Sequence, residues 1–246
     1  MGVGVAADVD GSGIGARLLA AVHGRRGIEA ADELCLACVE TIGVDAAAVS
    51  LIYDGAANAT FGVSGPLARE YDELQFTTGE GPCLDSVASR APVMVPDLAH
   101  PDETRWPAYR PALLSLDVRA VYAMPVLVAG EYLGALDLFS RRPGVLDADR
   151  LAGALVAADL VGLPMLDLFS ADLDAAINDP ESDAWQQLCV LTRAEVSQAT
   201  GVVMAQLNVG PAEALVRLRA HAYATDTSAT EVARAILEQR LYLKKD

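Results

Sequence analysis

Apolar and polar positions alternate in two regimes along the chain. Residues 16–42 repeat with a helical period that Gly24 and Gly27 interrupt, and Ala46 to Tyr53 is an apolar run of strand length ending at the Asp54-Gly55 turn signal. Asn58 to Ser64 pairs back as a second strand, residues 66–76 and 82–90 read as helices, and Pro92 to Val95 reads as a short strand. Arg119 to Val128 and Tyr132 to Ser140 form a hairpin around Gly130-Glu131. Asp147 to Phe169 is helical, with a break expected at Pro164 because proline lacks a backbone donor and clashes with the preceding turn.

Beyond that point the strand pattern stops. Ser182 or Asp183 caps a helix of about 25 residues in which Trp185, Cys189, Thr192, Val196, Ala199 and Val203 fall on one seam, broadened by Leu188 and Leu191. Asn208-Val209-Gly210 ends it, and Pro211 opens a second helix to about Ala224. Ser228-Ala-Thr-Glu231 is a capping box for a third, with Val232, Ala233, Ile236, Leu237 and Leu241 on one face. The pattern predicts an α+β chain: an antiparallel sheet flanked by helices, then a long helix and a three-helix C-terminal unit.

Composition adds a core and a charge asymmetry. Of the 246 residues 52% are apolar, which suits a folded protein. The formal charge is −16, and residues 1–182 carry all of it, since the remaining 64 hold seven basic and seven acidic side chains. A generally basic nucleic-acid coat is excluded, anionic membrane surfaces are disfavoured, and any anionic partner needs a local patch. No apolar run reaches the roughly 18–20 residues that span a bilayer, and Met1 to Gly13 lacks a signal-type core, so the cytoplasm is the expected compartment. Cys35, Cys38, Cys83 and Cys189 are too few for a disulfide scaffold and are expected as thiols. His23, His100 and His221 are scattered, so neither a metal set nor a cofactor motif is completed, and no phosphate loop, nucleophile elbow or paired-carboxylate motif is present.

Two stretches carry a family resemblance. Leu74-Gln-Phe-Thr-Thr-Gly-Glu-Gly-Pro-Cys83-Leu-Asp-Ser-Val, Ala91-Pro-Val-Met-Val-Pro-Asp97-Leu, Arg105-Trp106-Pro and Gly134-Ala-Leu-Asp-Leu-Phe-Ser140 resemble a GAF domain over residues 15–165. Gln198-Ala-Thr-Gly201-Val-Val-Met204-Ala-Gln-Leu, Glu213-Ala214-Leu215, Leu218-Arg219-Ala220-His221-Ala222 and Glu231-Val-Ala233-Arg-Ala-Ile236 resemble an ANTAR domain over 183–246, leaving 166–182 as a linker. The composition and domain order are similar to those of actinobacterial antitermination regulators. The resemblance implies a cytoplasmic homodimer, joined by a coiled coil in the long helix, that binds paired RNA hairpins in nascent transcripts and blocks a terminator. A small molecule is one candidate for its signal, with neither a membrane nor catalysis involved.

The resemblance points to Gln198, Ala199, Thr200, Gly201, Met204, Arg217, Arg219, His221 and Ala222 as RNA contacts. Gly201 sits inside a helix, where glycine costs about 1 kcal/mol relative to alanine, so either close helix packing or close approach of RNA explains it. For Arg219 the alternatives are a fork onto phosphate or base and a salt bridge to Glu195 or Glu213. Relatives commonly carry lysine where Thr200 stands, so one cation is missing here. Tyr53, Phe61, Gly81, Cys83, Trp106, Tyr109, Tyr122 and Met124 are candidates for a ligand cavity under the loop that enters a helix at Pro82; the plain alternative is core. Cys83 also matches the catalytic position of GAF-type methionine sulfoxide reductases, which gives a thiol-dependent reductase as a second function. A helix-turn-helix-like DNA reader around Ala224 to Ser228 is a third, and a pure dimerisation scaffold a fourth.

Overall fold

A computed structural model of the chain describes residues 13–53, 56–170 and 193–244. Five strands, β1 (Ala46–Tyr53), β2 (Ala56–Val63), β3 (Val93–Val95), β4 (Ala120–Val128) and β5 (Glu131–Ser140), form one antiparallel sheet in the order β2-β1-β5-β4-β3. The β4–β5 turn falls on Ala129 and Gly130, both with positive φ, one residue earlier than the sequence pattern places it.

Helices cover both faces. Helices α1 (Gly13–Val22), α2 (Gly27–Ile42) and α6 (Ala148–Ser170) lie on one, where Leu18, Leu34, Ile42, Val161 and Met165 pack with Val49, Met124 and Leu136. The other face carries α3 (Pro66–Thr78), α4 (Pro82–Ser89) and α5 (Tyr109–Ser115), with Tyr71, Tyr109 and Leu113 against Ala48, Val121 and Phe139. The expected break at Pro164 does not occur: α6 runs through it, with Val161 and Met165 fully buried on either side. Burial against the sheet outweighs the missing backbone bond. The helix continues to Ser170, one residue past the Phe169 end read from the sequence.

The C-terminal unit consists of α7 (Ala194–Leu207), α8 (Pro211–Ala224) and α9 (Ala229–Leu237). The sequence seam reappears as Val196, Ala199 and Val203, which meet Leu218, Ala222, Val232 and Ile236 in a core of their own. Val196, Ala199 and Val203, the described part of the seam expected to serve a coiled coil, are thus filled within one chain. Of the expected 25-residue helix the described residues hold Ala194–Leu207, preceded by Arg193 with a left-handed backbone at φ 45°. Trp185, Leu188, Cys189, Leu191 and Thr192 lie outside the described residues. The capping box forms as expected, Ser228 Oγ accepting from Glu231 N.

Candidate nucleic-acid interface

Helical spacing divides the C-terminal candidates into three sets. On α8, Ala212, Leu215 and Arg219 share a face at steps of three and four, and on α7 Thr200, Gly201 and Met204 turn towards it. Between them lies a groove of about 410 Å³, lined by Ser197, Thr200, Gly201, Met204, Pro211, Ala212 and Leu215, with Arg193 and Phe76 at one end. Gln198 and Gly201 are exposed, and a Cβ built on Gly201 meets no atom within 4 Å. Helix packing therefore does not require this glycine. Thr200 Oγ1 donates to Val196 O at 2.7 Å, leaving the hydroxyl oxygen to accept from a partner.

Ala199 and Ala222, expected at the RNA surface, are instead fully buried in the three-helix core, because the 3–4 periodicity that aligns Val196, Ala199 and Val203 turns them inward. Arg217 and His221 lie on a face away from Leu215 and Arg219, and Arg217 pairs with Glu213 at 3.0 Å.

Arg219 makes neither expected salt bridge. Glu213 is taken by Arg217, Glu195 is 3.2 Å from Arg234, and the Arg219 guanidinium lies over the Phe76 ring at 4.6 Å. Arg193 covers the same ring at 4.0 Å. Arg193 Nη2 also reaches Asp72 Oδ2 at 3.1 Å and Thr60 Oγ1 at 3.2 Å, while Nη1 pairs with Glu73. Nε and Nη2 of Arg219 are buried without a protein hydrogen-bond partner. Burial first, and then the neighbouring Arg193 charge, lower the Arg219 pKa to about 10, so it remains a cation at neutral pH. Two further bonds join the units: Ala229 N donates to Thr77 Oγ1 at 3.1 Å, and Thr230 Oγ1 donates to Glu73 Oε1 at 2.8 Å. Helix α3 thus caps the start of α9.

The ligand-cavity candidates do not meet in one place, because the sheet separates them. Phe61, Tyr122 and Met124 belong to the core under α1, α2 and α6, with Tyr122 Oη bonded to Gly144 O at 2.7 Å. Cys83, Trp106 and Tyr109 lie on the α3–α5 side, where Trp106 Nε1 donates to Asp85 Oδ2 at 3.1 Å. The Tyr53 side chain is outside the described residues. Gly81 has φ +150°, and a Cβ there would stand 2.3 Å from Gln75 Oε1, so the loop needs glycine.

What the α3–α5 side does hold is a buried polar cluster. Ser50 and Thr60 hydroxyls donate to Asp72, Gln75 Nε2 donates to Asp137 Oδ2 at 2.8 Å, and Cys83 N donates to Gln75 Oε1 at 3.1 Å. Asp137 Oδ1 and Tyr109 Oη are buried without partners. Desolvation, reinforced by Asp72, pushes the Asp137 carboxyl up to about 8. The Cys83 thiol is fully buried, and desolvation and Asp137 hold its pKa far above the usual range, so it is not poised as a thiolate nucleophile. Cys35 and Cys38 are buried in α2 with raised pKa values, desolvation being the main cause. Among the described residues no group of three His, Cys, Asp or Glu is arranged to hold a metal.

Sequence reasoning missed Asp72, Glu73, Gln75, Phe76, Asp137 and Arg193. Asp137 carried a readable signal, a charge inside an otherwise apolar strand; the partners of Phe76 and Arg193 lie over a hundred residues away and left none.

The GAF domain model matches residues 27–165, more than half of the chain, and the ANTAR domain model matches residues 190–237. No curated protein matches the chain. Among solved structures, the GAF domain of a phosphoenolpyruvate-protein phosphotransferase from Coxiella burnetii is 17% identical, with TM-score 0.51, covering 67% of this chain and 95% of that one. A domain of a sensor histidine kinase protein from Sinorhizobium meliloti is 18% identical, with TM-score 0.47 and coverage of 60% and 96%. Free methionine-R-sulfoxide reductase from Neisseria meningitidis, in complex with its substrate, is 19% identical, with TM-score 0.42 and coverage of 56% and 77%. At 17% identity the Coxiella burnetii domain shares only the fold of the first part of this chain. Sheet, flanking helices and C-terminal helices occur in the order the two family matches require, and the chain belongs to the GAF domain family, with an ANTAR domain behind it.

Proposed function

We propose that this protein is an RNA-binding transcription antitermination regulator. A GAF domain followed by an ANTAR domain fits a regulator with a sensory part and an RNA-binding part, and both domains are regulatory rather than catalytic. In our reading, residues 15–165 sense a signal, with a small molecule as one candidate, 166–182 link, and 183–246 bind paired RNA hairpins in nascent transcripts, in the cytoplasm.

The observation that carries this is the groove around Gly201. A helix interior keeps a glycine that packing does not need, at a cost of about 1 kcal/mol, beside an open groove with a free hydroxyl oxygen and small apolar walls. Such a surface suits unstacked loop bases and sugar hydroxyls, which are what sequence-specific RNA readers contact. Two protomers reading two hairpins would gain by effective concentration. The DNA alternative is less well supported, since the start of α9, which a helix-turn-helix would present to DNA, is capped by Glu73 and Thr77.

The test is binding of the full chain to an RNA with two short hairpins. Gly201→Ala is expected to raise stability by about 0.5–1 kcal/mol, because the site is open and helical, while Gly201→Leu weakens binding by tenfold or more. Binding by Gly201→Leu equal to that of the unaltered chain rejects the groove as the RNA site.

A further inference from the structure

Helix α3 is occupied on two faces at once. Asp72 and Gln75 face the sheet, where they bond Ser50, Asp137 and the Cys83 amide, while Glu73, Phe76 and Thr77 face the C-terminal unit. One half of the contact between the units is paired: the Arg193 side chain is 9% exposed and meets two carboxylates through its Nη atoms, with Nε left without a partner, and Thr77 and Glu73 accept from the first turn of α9.

The other half is not. Arg219 shares the Phe76 ring with a second cation and leaves two buried nitrogens without partners. A guanidinium held in this way has lost water without gaining an acceptor, which opposes docking. The same group would be satisfied by a phosphate or a base edge. Docking also sets a unit with no net charge against a domain with more acidic than basic side chains, so a polyanion approaching Arg219 meets repulsion. The Gly201 end of the groove stays open.

We propose that this arrangement is a closed state of the regulator, in which α3 clasps Phe76 between Arg193 and Arg219 and masks Arg219 until a change inside the GAF part releases it. The inference rests on the RNA reading above for its consequence, but not for the contact itself. Gln75 supplies the coupling: it holds the buried Asp137 and the Cys83 amide, and its chain neighbour is the clasped ring, so repacking of that cluster moves both. The element is bistable because favourable and unfavourable contacts sit on the same short helix.

The experiment uses the full chain and two readouts: amide exchange over residues 73–79 and 229–233, and affinity for a dual-hairpin RNA. Phe76→Ala, and Glu73→Gln as a milder variant, are expected to speed exchange in both segments and to tighten RNA binding about tenfold, within the usual range for coupled sites. Gln75→Ala, at a side chain whose hydrogen bonds lie within the GAF part, is expected to move both readouts in the same direction. Unchanged exchange in Phe76→Ala and Glu73→Gln overturns the clasp. Faster exchange with RNA bound as tightly as by the unaltered chain overturns the masking. A Gln75→Ala protein that matches the unaltered chain in both overturns the coupling through α3. Faster exchange in a chain that binds no hairpin in any form leaves the clasp standing and removes the RNA reading instead.

Discussion

Asp137 places a carboxyl in the middle of an apolar strand, bonded through one oxygen and bare at the other. Its pKa rises from 3.8 to about 8 on folding, so between these values the folded chain keeps a proton that the unfolded chain has released. The stability linked to this proton is complete below about pH 4 and drains away as the pH rises to about 8. Urea denaturation at pH 5 and at pH 8.5 is expected to show a smaller loss of stability for Asp137→Asn than for the unaltered chain; equal losses would refute the assignment. Asp137 was visible in the sequence as a polar interruption, whereas its partner Gln75, 62 residues earlier, was not. Gly201 was legible for the opposite reason: a glycine inside a helix is locally anomalous wherever its neighbours lie. Ala199 and Ala222 were misplaced because a family motif does not separate the residues that build a surface from those that hold it up.

Among the elements, the regular helices and strands followed from periodicity and the irregular ones did not. Helix α5 has seven residues, too few to set a pattern, and its first amides, Ala108 N and Tyr109 N, are capped at 2.6 and 2.9 Å by the Glu80 carboxylate from far upstream. The α6 helix survives Pro164 because its inner face is pressed against the sheet. Its outer face exposes Ala152, Leu155, Val156, Leu163 and Leu166, with the exposed Asp159 between the two apolar groups, and Leu163 is 59% exposed. Among the described residues, where Val196, Ala199 and Val203 are filled internally, this stripe is the surface we assign to the proposed homodimer. Leu163→Glu is expected to shift the protein to monomer in sedimentation experiments while leaving its circular dichroism unchanged. A chain that sediments identically with either residue would rule the stripe out.

For the whole molecule, the division of charge decides how RNA can be met. The C-terminal unit has no net charge and brings few cations to its groove, Arg193 in the lining and Arg219 over the Phe76 ring beside it, so affinity should depend weakly on salt. With about two phosphates neutralised, a plot of log affinity against log salt should have a slope near −1.5, and a slope steeper than about −4 would mean that a basic patch elsewhere carries binding. The order of the two domains, the hairpins β1–β2 and β4–β5, the capping box at Ser228 and the location of charge were all determined by the sequence itself, because each depends on residues close together in the chain. Only the tertiary structure decided which side of the sheet each aromatic residue occupies, that α6 passes through its proline, and that Arg219 rests on Phe76 rather than on an acid. These outcomes depend on pairs such as Phe76 and Arg219, far apart in sequence, whose contact free energy exists only once the helices that carry them have packed.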